Sequence, residues 1–351
     1  IERNLILLSN YFLKKKYKVK ILYSRISPKI KHNLNSKIIF KKTNNYLNLN
    51  FFNSRINNAI NCFLSSLIDI KFSKDSVLFS MQDHPFTIIL SFFKKVPSVI
   101  RIANHPIGSL KFFNNFLLFR IKLWIKIFFY HFSTVIICNS IESSSYFKKT
   151  LFFKKKIYCI YNPISKKVLK KNYPRNKFEI VTVGRLEKQK NLIGLIKAIS
   201  IVSIKNSKIK LTIVGKGSLK EELTKYVRLN RLNKFIKFKK FSKPDIYYKT
   251  KGILILNSFF EGLPNVLLEG MQYKIPIIST KCQSGPNEIL KKGKYGYLTE
   301  IDNENDVAKK ILEVILNYPK ANNKAKNAYK SLDRFMADSQ CKKYDKIIKN
   351  L

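Results

Sequence analysis

The stretch 179-EIVTVGRLEKQKNLIGLIKAIS-200 passes from a β-branched strand pattern, through a polar turn bearing Gly184, Arg185 and Lys190, into a long apolar helical pattern. That succession is the opening half of a βα unit. It recurs at 209-IKLTIVGKG-217, 235-FIKFKKF-241, 252-GILILNS-258 and 275-IPIIST-280, with helices to about Lys205, to about Arg231, and from about Pro264 to Tyr273. Upstream, 19-VKILYS-24, 77-VLFSM-81, 98-SVIRIA-103, 134-TVIICNS-140 and 157-IYCIYN-162 read as strands, with helical segments around 86–94 and 112–131. Strands that alternate with helices predict parallel sheets and an α/β fold. The first residues read as a helix followed directly by a strand, and the Asn- and Lys-rich stretch 29–75 carries no clear pattern.

A chain of 351 residues is longer than one hydrophobic core usually supports, so two domains are expected. The basic, Pro-containing stretch 161-YNPISKKVLKKNYPRNK-177 marks their boundary and predicts domains at 1–162 and 163–351. The last helix, about 336–351, is expected to pack back on the first domain.

Net charge is +47, which favours nucleic acid, membrane surfaces or anionic ligands as partners. Lys, Asn, Ile, Phe and Tyr are abundant while Gly and Pro are scarce, the pattern of an A/T-rich coding bias, so much of this charge is solvated surface. It is spread along the whole chain with no recognition helix, finger or RNP-like segment, which argues against a nucleic-acid partner. The five cysteines, Cys62, Cys138, Cys159, Cys282 and Cys341, form no CxxC, and the four histidines form no HExxH, so neither a disulfide framework nor a metal site is expected. The most apolar run, 112-FFNNFLLFRIKLWIKIFFYHF-132, is interrupted by Arg120, Lys122 and Lys126. Lys122 and Lys126 share a helical face and Arg120 points away, so no clean lipid-facing stripe is expected, although such a helix is compatible with a lipid surface.

Ligands of open α/β sheets bind beyond the carboxyl ends of the strands. There the second half offers 184-GRLEKQKN-191, 215-GKGS-218, 258-SFFEGLPN-265 and 279-STKCQSGPNEIL-290, four polar or turn-forming loops. Arg185 and Lys190 follow a strand and precede a helix, a suitable place for a diphosphate. GKGS is neither a P-loop nor a full GxGxxG; it reads equally as a tight βα turn or a nucleotide contact. Glu261 and Glu269 flank the expected helix start at Pro264. As a pair they could be a hydrolytic acid/base couple, a helix-dipole and surface carboxylate, or a ligand clamp; a metal role lacks a third nearby ligand. A ligand with vicinal hydroxyls and a diphosphate accounts for the carboxylates and the Arg/Lys pair together: a sugar nucleotide.

The set 184-GRLEKQKN-191, 213-IVGKGSLKEEL-223, 261-EGLPNVLLEGM-271 and 279-STKCQSGPNEILKKGKYGYL-298 resembles glycosyltransferase family 4, over residues 157–315 in order. The first half is similar more loosely, through 1-IERN-4, 101-RIANHP-106, 138-CNSIESS-144 and 161-YNPI-164. The resemblance implies a retaining, metal-independent enzyme of GT-B fold: two Rossmann-like domains with parallel sheets facing a central cleft. It implies no cofactor, a nucleotide-sugar donor with UDP as the nucleotide, and a glycan or lipid-linked acceptor in cell-surface polysaccharide synthesis. It further implies a peripheral position on an anionic membrane, at the inner face of the cytoplasmic membrane. Arg185 and Lys190 match the diphosphate-binding pair, Glu261 the carboxylate at the donor sugar and Glu269 the one at the ribose. Gly184, Gly215 and the amides of Asn265 and Val266 complete the donor set, and His105 matches a histidine near the sugar, with His84 as runner-up. Replacing Lys190 by alanine is expected to lower turnover far more than stability. In the family, IER follows a first strand and a Gly-Gly loop; both are missing from this sequence, so the first strand is expected to be absent and the chain to be a fragment, with a non-catalytic, donor-binding remnant as the first alternative and a basic nucleic-acid-binding protein as the second. Lys281 stands where relatives often carry an acid.

Overall fold

Two sets of parallel strands divide the chain. The structure, a computed structural model, describes residues 2–24, 33–47, 54–82, 84–105, 116–151, 156–165, 174–240 and 244–351. The expected boundary stretch at 166–173 lies outside the described residues, as do 112–115 of the aromatic run and 241–243 of an expected strand. One compact unit comprises Ile1–Ala103, Asn115–Pro163 and Ala337–Leu351; the other comprises Asn104–Asn114 and Ile164–Met336.

In the first unit β3 (Leu78–Ser80), β4 (Ser98–Ile102), β5 (Val135–Cys138) and β6 (Lys156–Cys159) form a parallel sheet in that order. Side chains alternate across it. Ile100, Ile102, Ile136, Cys138 and Ile157 face one way, packing with Ile88 of α3 (His84–Lys94), Ile127 and Tyr130 of α4 (Phe116–Tyr130), and Phe147 of α5 (Ile141–Thr150). Val99, Val135 and Ile137 face the other way, against Leu8 of α1 (Glu2–Lys14) and Cys341, Tyr344 and Ile347 of the last helix, α13 (Ala337–Ile348). Both faces of a parallel sheet need such cover, which is why these strands are apolar almost throughout. The buried Arg101 guanidinium ties the layers, donating to the Tyr344 hydroxyl at 2.9 Å and to Asn162, while Asn4 donates to Asn162 at 3.3 Å. Tyr17 donates to Asp345 at 2.8 Å and the Tyr161 amide to Gln340 at 3.0 Å, so α13 is fastened into this unit.

The unpatterned stretch contains β2 (Ile39–Lys42) and α2 (Ser54–Asp69). β2 pairs in parallel with β1 (Lys20–Tyr23) as a separate two-stranded sheet. On α4 the expectation of no clean apolar stripe is overturned. Leu117, Ile121, Trp124, Ile125 and Phe128 are all exposed on one side of the helix, while Ile127, Tyr130 and parts of Leu123 and Phe129 pack on the core.

The second unit holds one six-stranded parallel sheet in the order β12-β11-β10-β7-β8-β9. Its strands are β7 (Asn176–Val183), β8 (Lys210–Val214), β9 (Ile236–Lys239), β10 (Lys251–Leu256), β11 (Ile277–Thr280) and β12 (Tyr297–Thr299). The helices between them are α6 (Leu192–Lys205), α7 (Lys220–Leu229), α8 (Pro244–Thr250), α9 (Asn265–Gln272) and α10 (Pro286–Ile289), followed by α11 (Glu304–Leu316) and α12 (Tyr318–Lys330). This is the doubly wound order of a Rossmann fold, with the first strand in the middle. Strand order reverses between β7 and β10, so the loops after these two strands mark the switch point of the sheet, the place where ligands of such folds bind.

The GxG of the β8 loop has a packing cause. A Cβ on Gly215 would lie 1.9 Å from the Gly184 carbonyl oxygen, and one on Gly217 would lie 2.4 Å from that of Leu186. Both glycines let the loops after β7 and β8 close together, with the Leu186 amide donating to Lys216 at 3.0 Å and the Leu219 amide to Leu186 at 3.1 Å. Gly215→Ala is expected to cost about 3 kcal/mol in urea unfolding, because backbone must move to admit the methyl.

His84, the runner-up for a site histidine, belongs to the first unit, where its Nδ1 lies 2.9 Å from Ser80 Oγ and its ring meets Tyr130 edge-on at 5.8 Å. Burial, then the charges of Lys126 and Arg101, pushes its imidazole down to about 4. The unfolded chain takes up this proton near pH 6.5 and the folded chain does not, so the stability present above pH 6.5 drains away as pH falls toward 4. The slope is about 1.4 kcal/mol per pH unit. Denaturation midpoints from pH 7 to 4.5 should show a shallower fall for His84→Asn than for the natural chain.

Candidate functional site

β7 ends at Val183, and the chain turns through Gly184 and Arg185 into a single 3-10 turn, Lys188–Lys190. Asn191 then adopts a left-handed conformation (φ 42°) and caps α6, its side chain accepting from the Gly194 amide at 3.2 Å. Asparagine tolerates this backbone and supplies the cap oxygen, so one residue both reverses the chain and starts the helix. The turn aims Lys190 back over the sheet edge. Gly184 leaves room for it, since a Cβ there would sit 3.3 Å from Lys190 Cε.

After β10 the chain runs through Ser258 to Glu261. Lys190 Nζ lies 2.6 Å from Glu261 Oε1, and Ser258 Oγ donates to the same oxygen at 2.6 Å. The two side chains are only 14% and 9% exposed, so the pair is partly desolvated, its attraction is less screened than at the surface, and removing one partner would strand the other's charge. The two loops are laced on either side of it. The Phe259 amide donates to the Gln189 carbonyl at 2.9 Å, Gln189 Nε2 to the Phe260 carbonyl at 2.8 Å, and Asn257 Nδ2 to the Asn191 carbonyl at 3.0 Å. Arg185 is exposed, touching Gln189 Oε1 at 3.2 Å.

Pro264 precedes α9, and the amides of Asn265 and Val266 open that helix a few residues beyond Glu261. Its positive end therefore adjoins the Lys190–Glu261 pair. Glu269 lies further along α9, where the buried Tyr248 hydroxyl donates to its Oε2 at 3.0 Å. Burial, then the Glu269 charge, pushes the Tyr248 phenol well above its ordinary value, so it remains a donor. The loop after β11 closes beneath: Ser284 Oγ donates to the Gly262 carbonyl at 3.0 Å, with Ser284 and Gly285 both at positive φ. Cys282 is buried here, and burial followed by the Glu261 charge raises its thiol to about 12, which removes it as a nucleophile. Lys281 pairs outward with Glu300.

His105 reaches the site through an antiparallel bridge between Asn104 and Gly262, which makes Glu261 the next residue across from it. It is 2% exposed, and burial lowers its imidazole to about 4, so it is neutral at pH 7. Lys190, Glu261, Gly184 and Gly215 thus form one cluster, with Arg185, His105, Asn265 and Val266 around it. Glu269 is held apart by Tyr248. Ser258, Gln189, Asn191 and Tyr248 were not singled out in the sequence. Ser258 and Gln189 were visible there as polar neighbours of the marked residues, whereas Tyr248 has no local signal. Chemically, the site offers a held cation, a second exposed cation and a helix N-terminus for an anion, beside carboxylates able to accept from hydroxyls.

Residues 164–331 match the family model described as "Glycosyl transferases group 1". The chain is 29% identical over 230 residues, 58% of its length and 55% of the relative's, to an uncharacterized glycosyltransferase of Methanocaldococcus jannaschii. It is 30% identical over 199 residues, 55% of its length and 51% of the relative's, to a Campylobacter jejuni enzyme. That relative is N-acetylgalactosamine-N,N'-diacetylbacillosaminyl-diphospho-undecaprenol 4-alpha-N-acetylgalactosaminyltransferase. The chain therefore spans about half the length of these curated relatives. Its structure is similar to that of Anabaena HepE in complex with UDP and glucose, with a TM-score of 0.79 at 17% identity, covering 100% of this chain and 96% of that one. The chain has the GT-B fold, and its second unit carries the match to Glycosyl transferases group 1.

Proposed function

We propose that this protein is a retaining, metal-independent glycosyltransferase of family 4 that moves a sugar from a UDP-sugar to a glycan or lipid-linked acceptor in cell-surface polysaccharide synthesis. It works at the inner face of the cytoplasmic membrane. The observation that carries this reading is the Lys190–Glu261 pair, held at the strand-order switch point beside the start of α9. The match of residues 164–331 to a glycosyltransferase family supports it, as do relatives whose names describe sugar transfer to undecaprenol-linked and poly(ribitol-phosphate) acceptors. The UDP and glucose in the HepE complex support the choice of donor.

As the sugar–phosphate bond loosens, negative charge gathers on the departing diphosphate. Lys190 and Arg185 stabilise it, helped by the amides of Asn265 and Val266. Glu261 holds Lys190 in one place before the donor arrives, so little reorganisation is needed during reaction, and it accepts from a sugar hydroxyl. Glu269, to which Tyr248 donates, accepts from a ribose hydroxyl. Neutral His105 contacts the donor sugar from across Glu261.

The expectation that Lys190→Ala spares stability is revised by the geometry, since removing the lysine strands a nearly buried carboxylate at a cost of about 3 kcal/mol. Arg185→Ala is the cleaner test. Its side chain is exposed, so stability should stay within about 0.5 kcal/mol, while transfer from UDP-sugar should fall about 100-fold. Natural turnover and unchanged UDP affinity in Arg185→Ala would overturn the assignment. Glu261→Gln should raise KM for the donor and lower kcat, read in the same transfer assay.

A further inference from the structure

We infer that α4, with the adjoining end of α3, is an interfacial docking surface for an anionic lipid bilayer, and that Trp124 is seated among the lipid headgroups. At about 100° per residue, Leu117, Ile121, Trp124, Ile125 and Phe128 fall within an arc of about 100° on α4. Leu117 is 67% exposed, Trp124 64% and Phe128 58%, whereas Ile127 and Tyr130, outside this arc, are buried. The stripe does not end with the helix. Phe128 meets Phe132 at 5.2 Å and Phe132 meets Phe92 at 5.9 Å, which carries the aromatic ridge onto α3, where Phe93 is also exposed. Between the helices Ile88, Ile89, Phe92, Phe129 and Phe132 line an apolar groove of about 250 Å³. An exposed apolar patch of this kind marks an interaction site.

Charge decides what covers it. Arg120 lies along one edge of the stripe, Lys122 beyond the other and Lys126 further round the helix, all three exposed, and Lys95 is exposed beyond Phe93. Residues 84–141 contain no Asp or Glu at all. An apolar stripe flanked by cations on both sides is the pattern of a helix lying in a lipid interface, where the long basic side chains reach back to the phosphates. A second copy of the chain would place these cations against one another across a two-fold axis. Among the described residues no helix is long and apolar enough to cross a membrane, so α4 lies in the plane of the surface. Trp124, the chain's one tryptophan, sits within the stripe, and indole prefers the headgroup level. The inference rests on this surface alone and not on the donor site.

Because Trp124 is the single tryptophan, its fluorescence reports this surface directly. The full chain should show a blue-shifted emission with phosphatidylglycerol-containing vesicles, quenched when the acyl chains carry bromine, and little shift with phosphatidylcholine alone. Ile121→Asp/Phe128→Asp should abolish the shift. Each of Lys122→Gln and Lys126→Gln should weaken partitioning about fivefold, with a steep salt dependence. UDP binding by calorimetry should be unchanged in all of these variants, so a failure at the surface is distinguishable from a failure at the donor site. No shift with anionic vesicles at low salt would overturn the inference. So would a blue shift that grows with protein concentration without vesicles, which would mark self-association instead.

Discussion

A nearly buried carboxylate in the second unit sets the terms for everything around it. Glu261 sits at the edge of a parallel sheet, where an unpaired charge would be costly. Lys190 neutralises it from the neighbouring strand's loop, and the exchange of hydrogen bonds among Gln189, Asn191, Asn257 and Phe260 holds both ends. That pairing requires β7 and β10 to be neighbours although three helices and two strands (α6, β8, α7, β9 and α8) separate them in the chain. The doubly wound order supplies this adjacency, and the same order puts the pair at the switch point of the sheet.

The supporting parts serve that geometry. Gly184 makes room for the lysine stem, while Gly215 and Gly217 let the β8 loop press against the β7 loop behind it. Asn191 turns the chain sharply enough for Lys190 to face the sheet edge. Tyr248 performs for Glu269 what Lys190 performs for Glu261, but with a neutral donor. The two carboxylates therefore have unlike partners, one an ammonium and the other a phenol. The Lys190 ammonium and the Ser258 hydroxyl both engage Glu261 Oε1, so this oxygen is occupied in fixing the lysine. This is the physical reason to prefer a clamp over an acid/base couple.

Most of the sheet strands were legible because parallel strands covered on both faces are short apolar runs between polar turns. β5 (VIIC) and β10 (KGILIL) are plain examples. β2 and α2 were not legible: β2 reads IFKK, and two lysines in a strand of four erase the pattern. The exposed stripe on α4 was hidden for a different reason. Sequence periodicity shows how many apolar positions a helix has, but not how many of them its neighbours cover. His84 and His105 are each followed by a proline, with His105 the better match in sequence; the structure puts His84 in the first unit and bridges Asn104, next to His105, to Gly262.

Sequence alone determined the βα alternation, the loops at the strand ends and the chemical kinds gathered there: Arg, Lys, two Glu and a helix-starting Pro-Asn. These are local properties, set by periodicity, backbone preference and charge. Tertiary structure decided which of them touch. It set Lys190 against Glu261, gave Glu269 to Tyr248, brought His105 across from Glu261 and left Trp124 uncovered. Contacts of this kind depend on strand order and on which helix faces find cover, and those are settled by packing between residues far apart in the chain.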